Sequence, residues 1–242
     1  MDTQVTLPEQ PPGLFPEIHL GRWKYVPVGF FALVLVAVFA FVIFRPIQVL
    51  PRIRLAPGYA LRDQEGRTLT SEDLRGHFVL YNFTHTACRA PACPQYDLIM
   101  REVQRRLGEV DTGGTPITLV TIVFDTEHAD PETLRSYAAE LDADLDGWYF
   151  VSGDADTLKR VVGGGFQVYY QRDAVGSYTF SPAMVLVDGW GVVRAIYSTR
   201  TYLPETDRIL RHFSVLAQEV QNSKGVARLG YEAAHLFLCY AS

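Results

Sequence analysis

From Tyr25 to Phe44 the chain reads YVPVGFFALVLVAVFAFVIF, a run of 20 residues without a charge. A helix rising about 1.5 Å per residue would cross a hydrocarbon core of about 30 Å with that length, so the run predicts a transmembrane helix. Its apolar stretch is longer than that of a cleaved signal peptide and runs into RPIQ rather than small residues. Trp23, Tyr25 and Arg45 stand where interface anchors belong, and Pro27 falls near the start, where a helix tolerates it. Beyond this run the periodicity changes. Short apolar stretches at 77–83, 117–125, 147–153, 183–188 and 192–198 predict strands, the last two joined by a GWG turn. Helical patterns fill 94–107, 130–141, 154–162 and 205–220; the second opens with Asp130 and Pro131, an N-cap followed by proline in the first turn. Strands alternating with helices, then a hairpin and a last helix, predict an α/β sheet with helices on both faces. The implied division is an extended tail (1–24), the membrane helix (25–44), a linker (45–56), one folded domain (57–222) and a C-terminal extension (223–242).

Charge narrows the function classes. The chain carries 27 acidic and 22 basic residues, a formal charge of -5, and no basic tract, which excludes the electrostatic footprint of a nucleic-acid binder. Arginines and lysines flank the apolar run on both sides, so the positive-inside rule does not orient it. The proline-rich tail has no apolar periodicity and needs a partner to become ordered.

The candidate chemistry lies in NFTHTACRAPACPQYDLIM, residues 82–100, where Cys88 and Cys93 follow one strand and precede a helix. Five residues along a helix turn side chains about 140° apart, so one regular helix cannot aim both sulfurs at one point. Cys88 is therefore expected in the loop and Cys93, followed by Pro94, at the helix start, where the helix dipole favours a thiolate. A disulfide and a pair of free thiols both remain open. His85 and His128 are the histidines nearest this chemistry in sequence or at the sheet end, and both are expected to be ordinary loop residues. GGG at 163–165 lacks the lysine and hydroxyl of a phosphate loop, and Asp142, Asp144 and Asp146 lack the spacing of a calcium loop. Cys239 lies in the apolar C-terminal extension.

DLRGHFVLYNFTHTAC, IVFDTEHADPETLRSY, FQVYYQ and SPAMVLVDGWGVVRAIY together resemble the Sco/SenC family over roughly Leu55 to Val220. The resemblance implies a thioredoxin-like fold on a membrane anchor, with the soluble domain on the extracytoplasmic side. It also implies a copper site of two cysteines and a distant histidine, soft donors suited to copper(I). Cys88 and Cys93 occupy the cysteine positions, with RAPA one residue longer than the family spacing. The histidine position holds Phe180, which cannot ligate a metal, while Pro182 resembles the cis-proline of thioredoxin folds. Copper is the one cofactor the resemblance raises, with Cys88 and Cys93 as its candidate ligands and Phe180 arguing against it. The expected role is a non-catalytic accessory subunit of a membrane respiratory or photosynthetic electron-transfer complex, whose membrane subunits would be its partners. The alternative is a copper chaperone or thiol–disulfide protein for cytochrome oxidase assembly.

Overall fold

The computed structural model describes residues 25–44, 48–86, 88, 92–201, 203–223, 225 and 231–232, with the backbone alone at 37–38, 40–44 and 92–94. The tail 1–24, Cys239 and most of the C-terminal extension lie outside the described residues. The chain divides into two units, Met1–Pro46 and Ile47–Ser242.

In the first unit, helix α1 spans Tyr25–Phe44. Its described side chains are exposed all round, Phe30 at 69% and Phe31 at 67%, so it has no polar face to turn to water. Among the described residues no helix is long and apolar enough to cross a membrane, residues 37–38 and 40–44 of α1 contributing backbone alone.

In the second unit, strands β1 (Arg54–Leu55), β2 (Ala60–Asp63), β3 (Thr68–Thr70) and β4 (Phe78–Thr84) lead to helix α2 (Ala92–Arg106). Strand β5 (Ile117–Val123), helix α3 (Pro131–Glu140), strand β6 (Trp148–Ser152) and a short helix α4 (Ala155–Leu158) follow. The chain ends with strands β7 (Tyr170–Arg172), β8 (Tyr178–Phe180), β9 (Ala183–Val187) and β10 (Val192–Ser198) and helix α5 (Thr206–Asn222). Eight strands form one sheet in the order β1-β10-β9-β4-β5-β6-β2-β3, with β4, β5 and β6 parallel and the flanking pairs antiparallel. Strands β7 and β8 form a separate hairpin.

Both faces of the sheet are covered. Along β4, Phe78 and Leu80 join a core with Tyr96, Met100 and Val103 of α2, Leu134 of α3 and Phe213 of α5. Val79, Tyr81 and Phe83 point the other way, toward Leu158, Val162 and Phe166, and this period of two buries every residue of β4. The strong expectations hold: Asp130 caps α3 by accepting from the N–H groups of Glu132 and Thr133, each at 3.0 Å. The turn of the last hairpin is closed by Asp188, which accepts from the N–H groups of Trp190 and Val192, and by Gly191 at φ 77°.

Two expectations need correction. Of the residues taken for a linker, 45–56, those from 48 onward already fold with the domain: Val49 and Leu50 are buried and β1 pairs with β10. Helix α2 begins at Ala92, so Cys93 lies inside its first turn rather than capping it. After α4 the chain continues as a wide π-helical turn, Lys159–Gly165, which ends on the GGG run. Glycine is required at its end because a Cβ on Gly165 would fall 2.4 Å from that of Pro57.

The start of the domain is held by one buried cation. Arg194 on β10, 3% exposed, donates to Asp188 at 2.9 Å and Glu219 of α5 at 2.6 Å, and to the carbonyls of Leu50 at 2.7 Å and Pro51 at 3.2 Å. Arg194→Ala removes the buried cation that Asp188 and Glu219 share, leaving Glu219 the half-exposed Arg52 at 3.7 Å, and should destabilise the domain by about 3–5 kcal/mol. Chemical denaturation of the purified protein measures this; a loss under about 1 kcal/mol would show that the cluster is not a structural tie.

Candidate functional site

Parallel pairing of β4 with β5, in register through Thr84 and Val123, carries both strands to the same edge of the domain. There the amide of Phe124 donates to the carbonyl of Thr84 at 3.0 Å, extending the ladder by one bond. Asp125, buried, then accepts from the backbone N–H of Thr86 with both carboxylate oxygens, at 3.0 and 3.1 Å, and from the Thr86 hydroxyl. The loop leaving β4 is thereby clamped to the end of β5. Within it, the amide of Cys88 donates to the carbonyl of His85 at 3.0 Å, closing a turn that buries Cys88. Cys88 is disulfide-bonded. The side chain of Cys93 is not among those described, but its backbone stands in the first turn of α2, at the positive end of the helix dipole.

On one side of this loop the site is aromatic. The His85 ring is 8% exposed and meets Phe124 at 5.7 Å, Tyr178 at 5.2 Å and Phe180 at 5.7 Å between centroids. Phe124 in turn stacks on Tyr170 at 4.7 Å and meets Phe180 edge-on at 5.2 Å. The hairpin β7–β8 thus lies over the end of the sheet as an aromatic cover, tied at its outer side by Arg172 donating to both carboxylate oxygens of Glu127 at 2.9 and 2.6 Å. Burial depresses the pKa of His85, against the opposing pull of Asp125, and its buried Nδ1 has no hydrogen-bond partner among the described residues. The imidazole is held neutral in an apolar setting.

On the other side the site is polar. Asn82 of β4 donates to Asp97 of α2 at 2.9 Å, and the Tyr137 hydroxyl of α3 donates to the other Asp97 oxygen at 2.7 Å. The Tyr137 hydroxyl also lies 3.4 Å from that of Thr84. Burial pushes the Asp97 carboxyl up to about 6, its two hydrogen bonds pulling the other way, and raises Tyr137 as well. Above the loop, the Tyr96 hydroxyl donates to the carbonyl of Pro182 at 3.2 Å, fixing α2 against the entry to β9.

Phe180, at the position expected for a ligand histidine, packs against His85 instead of leaving it open. His128 sits exposed in a 3-10 turn. Asp142, Asp144 and Asp146 form an exposed turn. Among the described residues no group of three or more histidine, cysteine and acidic side chains converges on a metal position. Pro182 is a further correction. No cis peptide bond occurs among the described residues, so the Ser181–Pro182 bond is trans. The chain runs extended from β8 into β9 there, the conformation a residue before proline prefers.

Sequence reading missed Asp125, Asp97, Asn82, Tyr137 and the aromatic cover. One signal was present: Asp97 interrupts the apolar stripe of Tyr96, Met100 and Val103, and a carboxylate on a buried helix face is rare enough to mark.

Residues 49–218, well over half of the chain, match the SCO1/SenC family model. The chain belongs to the SCO1/SenC family. A SCO1 protein homolog of Bacillus subtilis (strain 168) is 25% identical over 95 residues, 39% of this chain and 47% of the relative, so the match spans about half of that protein's length. The solved structure of BsSco, described as a member of the Sco family of cytochrome c oxidase assembly proteins with a disulfide switch, superposes with TM-score 0.60. It is 19% identical and covers 70% of this chain and 97% of its own. Copper-bound ScoI of Bradyrhizobium japonicum superposes with TM-score 0.54 at 22% identity, covering 66% of this chain and 99% of its own. At these identities the structural likeness establishes the thioredoxin-like α/β fold of the Sco domain.

The half-buried Phe180 packs against His85 at the start of the cysteine loop. Phe180→Ala should speed reduction of the Cys88 disulfide by a soluble thiol about tenfold through freer access, at a stability cost of about 1–3 kcal/mol. Arg172→Ala, which breaks only an exposed ion pair, should change stability by less than about 1 kcal/mol. Equal reduction rates in wild type and Phe180→Ala would show that the aromatic cover does not gate the disulfide.

Proposed function

We propose that this Sco-domain protein is a membrane-anchored thiol–disulfide protein in the assembly of a membrane cytochrome oxidase, with Cys88 and Cys93 as its working pair. The observation that carries the reading is the disulfide-bonded Cys88, set in a clamped loop at the end of β4 and directly before the helix that holds Cys93. The family supports oxidase assembly better than the accessory-subunit role expected from the sequence, since the matched relatives include assembly proteins and copper-bound forms. In thiol–disulfide exchange a partner's thiolate attacks one sulfur of the pair, and the other leaves as a thiolate stabilised at a helix N-terminus.

Copper enters as cargo. Reduced Cys88 and Cys93 offer two soft thiolates for copper(I), but Phe180 offers no nitrogen where the family resemblance expects one. The buried Nδ1 of His85 belongs to a ring packed among aromatics. This donor set suits brief handling of the ion rather than storage. Titration of the reduced protein against a copper(I) chelator should give affinity at least about tenfold below that of Phe180→His, as expected for a site gaining an imidazole ligand. In cells, Cys88→Ser with Cys93→Ser should fail to restore oxidase copper content in a strain lacking the protein. Full restoration by that variant would return the reading to an accessory subunit.

The anchor reading is supported by the sequence of α1, 20 residues without a charge. We place the Sco domain on the extracytoplasmic face, where a disulfide persists, and its partners among integral-membrane electron-transfer proteins. The purified protein should keep residues 1–24 and resist alkaline extraction from membranes, and in spheroplasts the domain should be open to added protease. A mature chain beginning near residue 45 would overturn the anchor.

A further inference from the structure

At the end of the sheet opposite the cysteine loop, the hairpin of β9 and β10 turns through Asp188, Gly189, Trp190 and Gly191. The turn stands beside the start of β4, since Val187 pairs with Val79 and the Gly76 amide donates to the carbonyl of Gly189 at 2.9 Å. Trp190 is 79% exposed there. The bonds it makes are those of its backbone: its amide donates to Asp188 at 3.0 Å and its carbonyl accepts from Arg75. The turn needs no indole at this position. Two more apolar side chains lie open along the neighbouring edge of the sheet. Leu55, 72% exposed, pairs with Val192, and Ile53, 44% exposed, precedes it by two residues and so shares its side of the extended chain. The entry of the chain into the domain is tied to the same turn. Arg194 donates to the carbonyl of Leu50 and to one oxygen of Asp188, whose other oxygen accepts from the Trp190 amide. Leu50 comes six residues after Phe44, the end of the uncharged run, a separation that spans at most about 22 Å.

We infer that the Trp190 turn, with Leu55 and Ile53, is a lipid-contacting face that seats the domain on the surface of the bilayer holding the 25–44 run. The inference rests on the reading of that run as a membrane anchor. Tryptophan is enriched at the level of lipid headgroups, where its ring is buried and its N–H bonds to polar groups. Three side chains are too small a set to bring an untethered protein to a membrane. Tethering removes that obstacle, since a face held within a short chain length of lipid binds intramolecularly and a weak contact suffices. The charges at this edge are balanced: Arg75 pairs with Glu72 at 3.2 Å, and Arg52 with Glu219 and Glu232 at 3.7 and 3.2 Å. Apolar burial rather than headgroup charge is therefore the source of attraction, and zwitterionic phosphatidylcholine is a sufficient surface. A second copy of the chain is a poorer occupant. Strand β1 is two residues long between Pro51 and Pro57, which leaves an incoming strand almost no ladder to extend. With the Trp190 turn on lipid, β4 points its far end outward. Its seven residues, at about 3.3 Å each, set the start of the Cys88 loop about 20 Å from the seated end of the strand. The loop then stands on the side of the domain turned away from the bilayer.

The test places the full-length protein in phosphatidylcholine vesicles, plain or brominated on the acyl chains near the headgroup, and reads tryptophan emission. The chain has three tryptophans. Trp148 is fully buried and serves as the unquenched reference. The contribution of Trp190 is the difference between wild type and Trp190→Phe, and that of Trp23, beside the uncharged run, the difference between wild type and Trp23→Phe. Brominated lipid should lower Trp190 emission at least about twofold, as expected of an indole at headgroup depth. Raising salt to about 0.5 M should leave that loss unchanged, because screening does not weaken apolar burial. Leu55→Ser should diminish the quenching of Trp190 and leave that of Trp23 intact. Trp190 unquenched while Trp23 is quenched overturns the inference and spares the anchor. If neither is quenched, the anchor reading itself fails, and the inference with it. Quenching abolished by salt overturns recognition by apolar burial. Trp190 unquenched in brominated vesicles but shielded from acrylamide in native membranes marks a protein as the occupant and overturns the lipid assignment.

Discussion

The site depends on the parallel register of β4 and β5. Because Thr84 stands opposite Val123, the next residues of both strands meet, and Asp125 can grip the amide of Thr86 with both oxygens. A carboxylate accepting backbone N–H bonds makes charge-assisted contacts stronger than neutral ones, and here the contact is buried. A shift of one residue would turn Asp125 to the other face and release the loop. The position of Cys88, the turn it shares with His85 and the packing of His85 all follow from this pairing.

What surrounds the loop differs sharply on its two sides. The aromatic side is filled by His85, Phe124, Tyr170, Tyr178 and Phe180, with ring spacings of ordinary edge-on and offset contacts. The polar side holds Asn82, Asp97, Tyr137 and Thr84. Phe180 belongs to the aromatic side, its ring packing edge-on against His85 and Phe124.

Much of this architecture was legible in the sequence, for identifiable reasons. The strands β4, β5, β9 and β10 are apolar runs of the right length, and Asp130 with Pro131 announces a helix start by chemistry that acts within four residues. The short strands β1, β2 and β3 were not visible, since two to four residues carry no periodicity and are defined by their partners. The π-helical turn at Lys159–Gly165 was hidden because glycines look like a terminator unless the neighbour they admit, Pro57, is known. At the site, Cys88 and Phe180 were visible through residue type. Asp125 was not, because its role is a contact across 39 residues of sequence. Nor was the meeting of Phe180 with His85, which depends on how the β7–β8 hairpin folds back over the sheet.

The grip of Arg194 on the carbonyls of Leu50 and Pro51 has a mechanical consequence. Tension entering the domain along the chain from its N-terminal side meets that guanidinium before it meets any strand. Through Glu219 and Asp188 the force spreads at once into α5 and the last hairpin, so the edge strand β1 is not the first element to peel. Under such a pull the domain would yield there as a unit or not at all, leaving the clamped loop of Cys88 at the far end of β4 undisturbed.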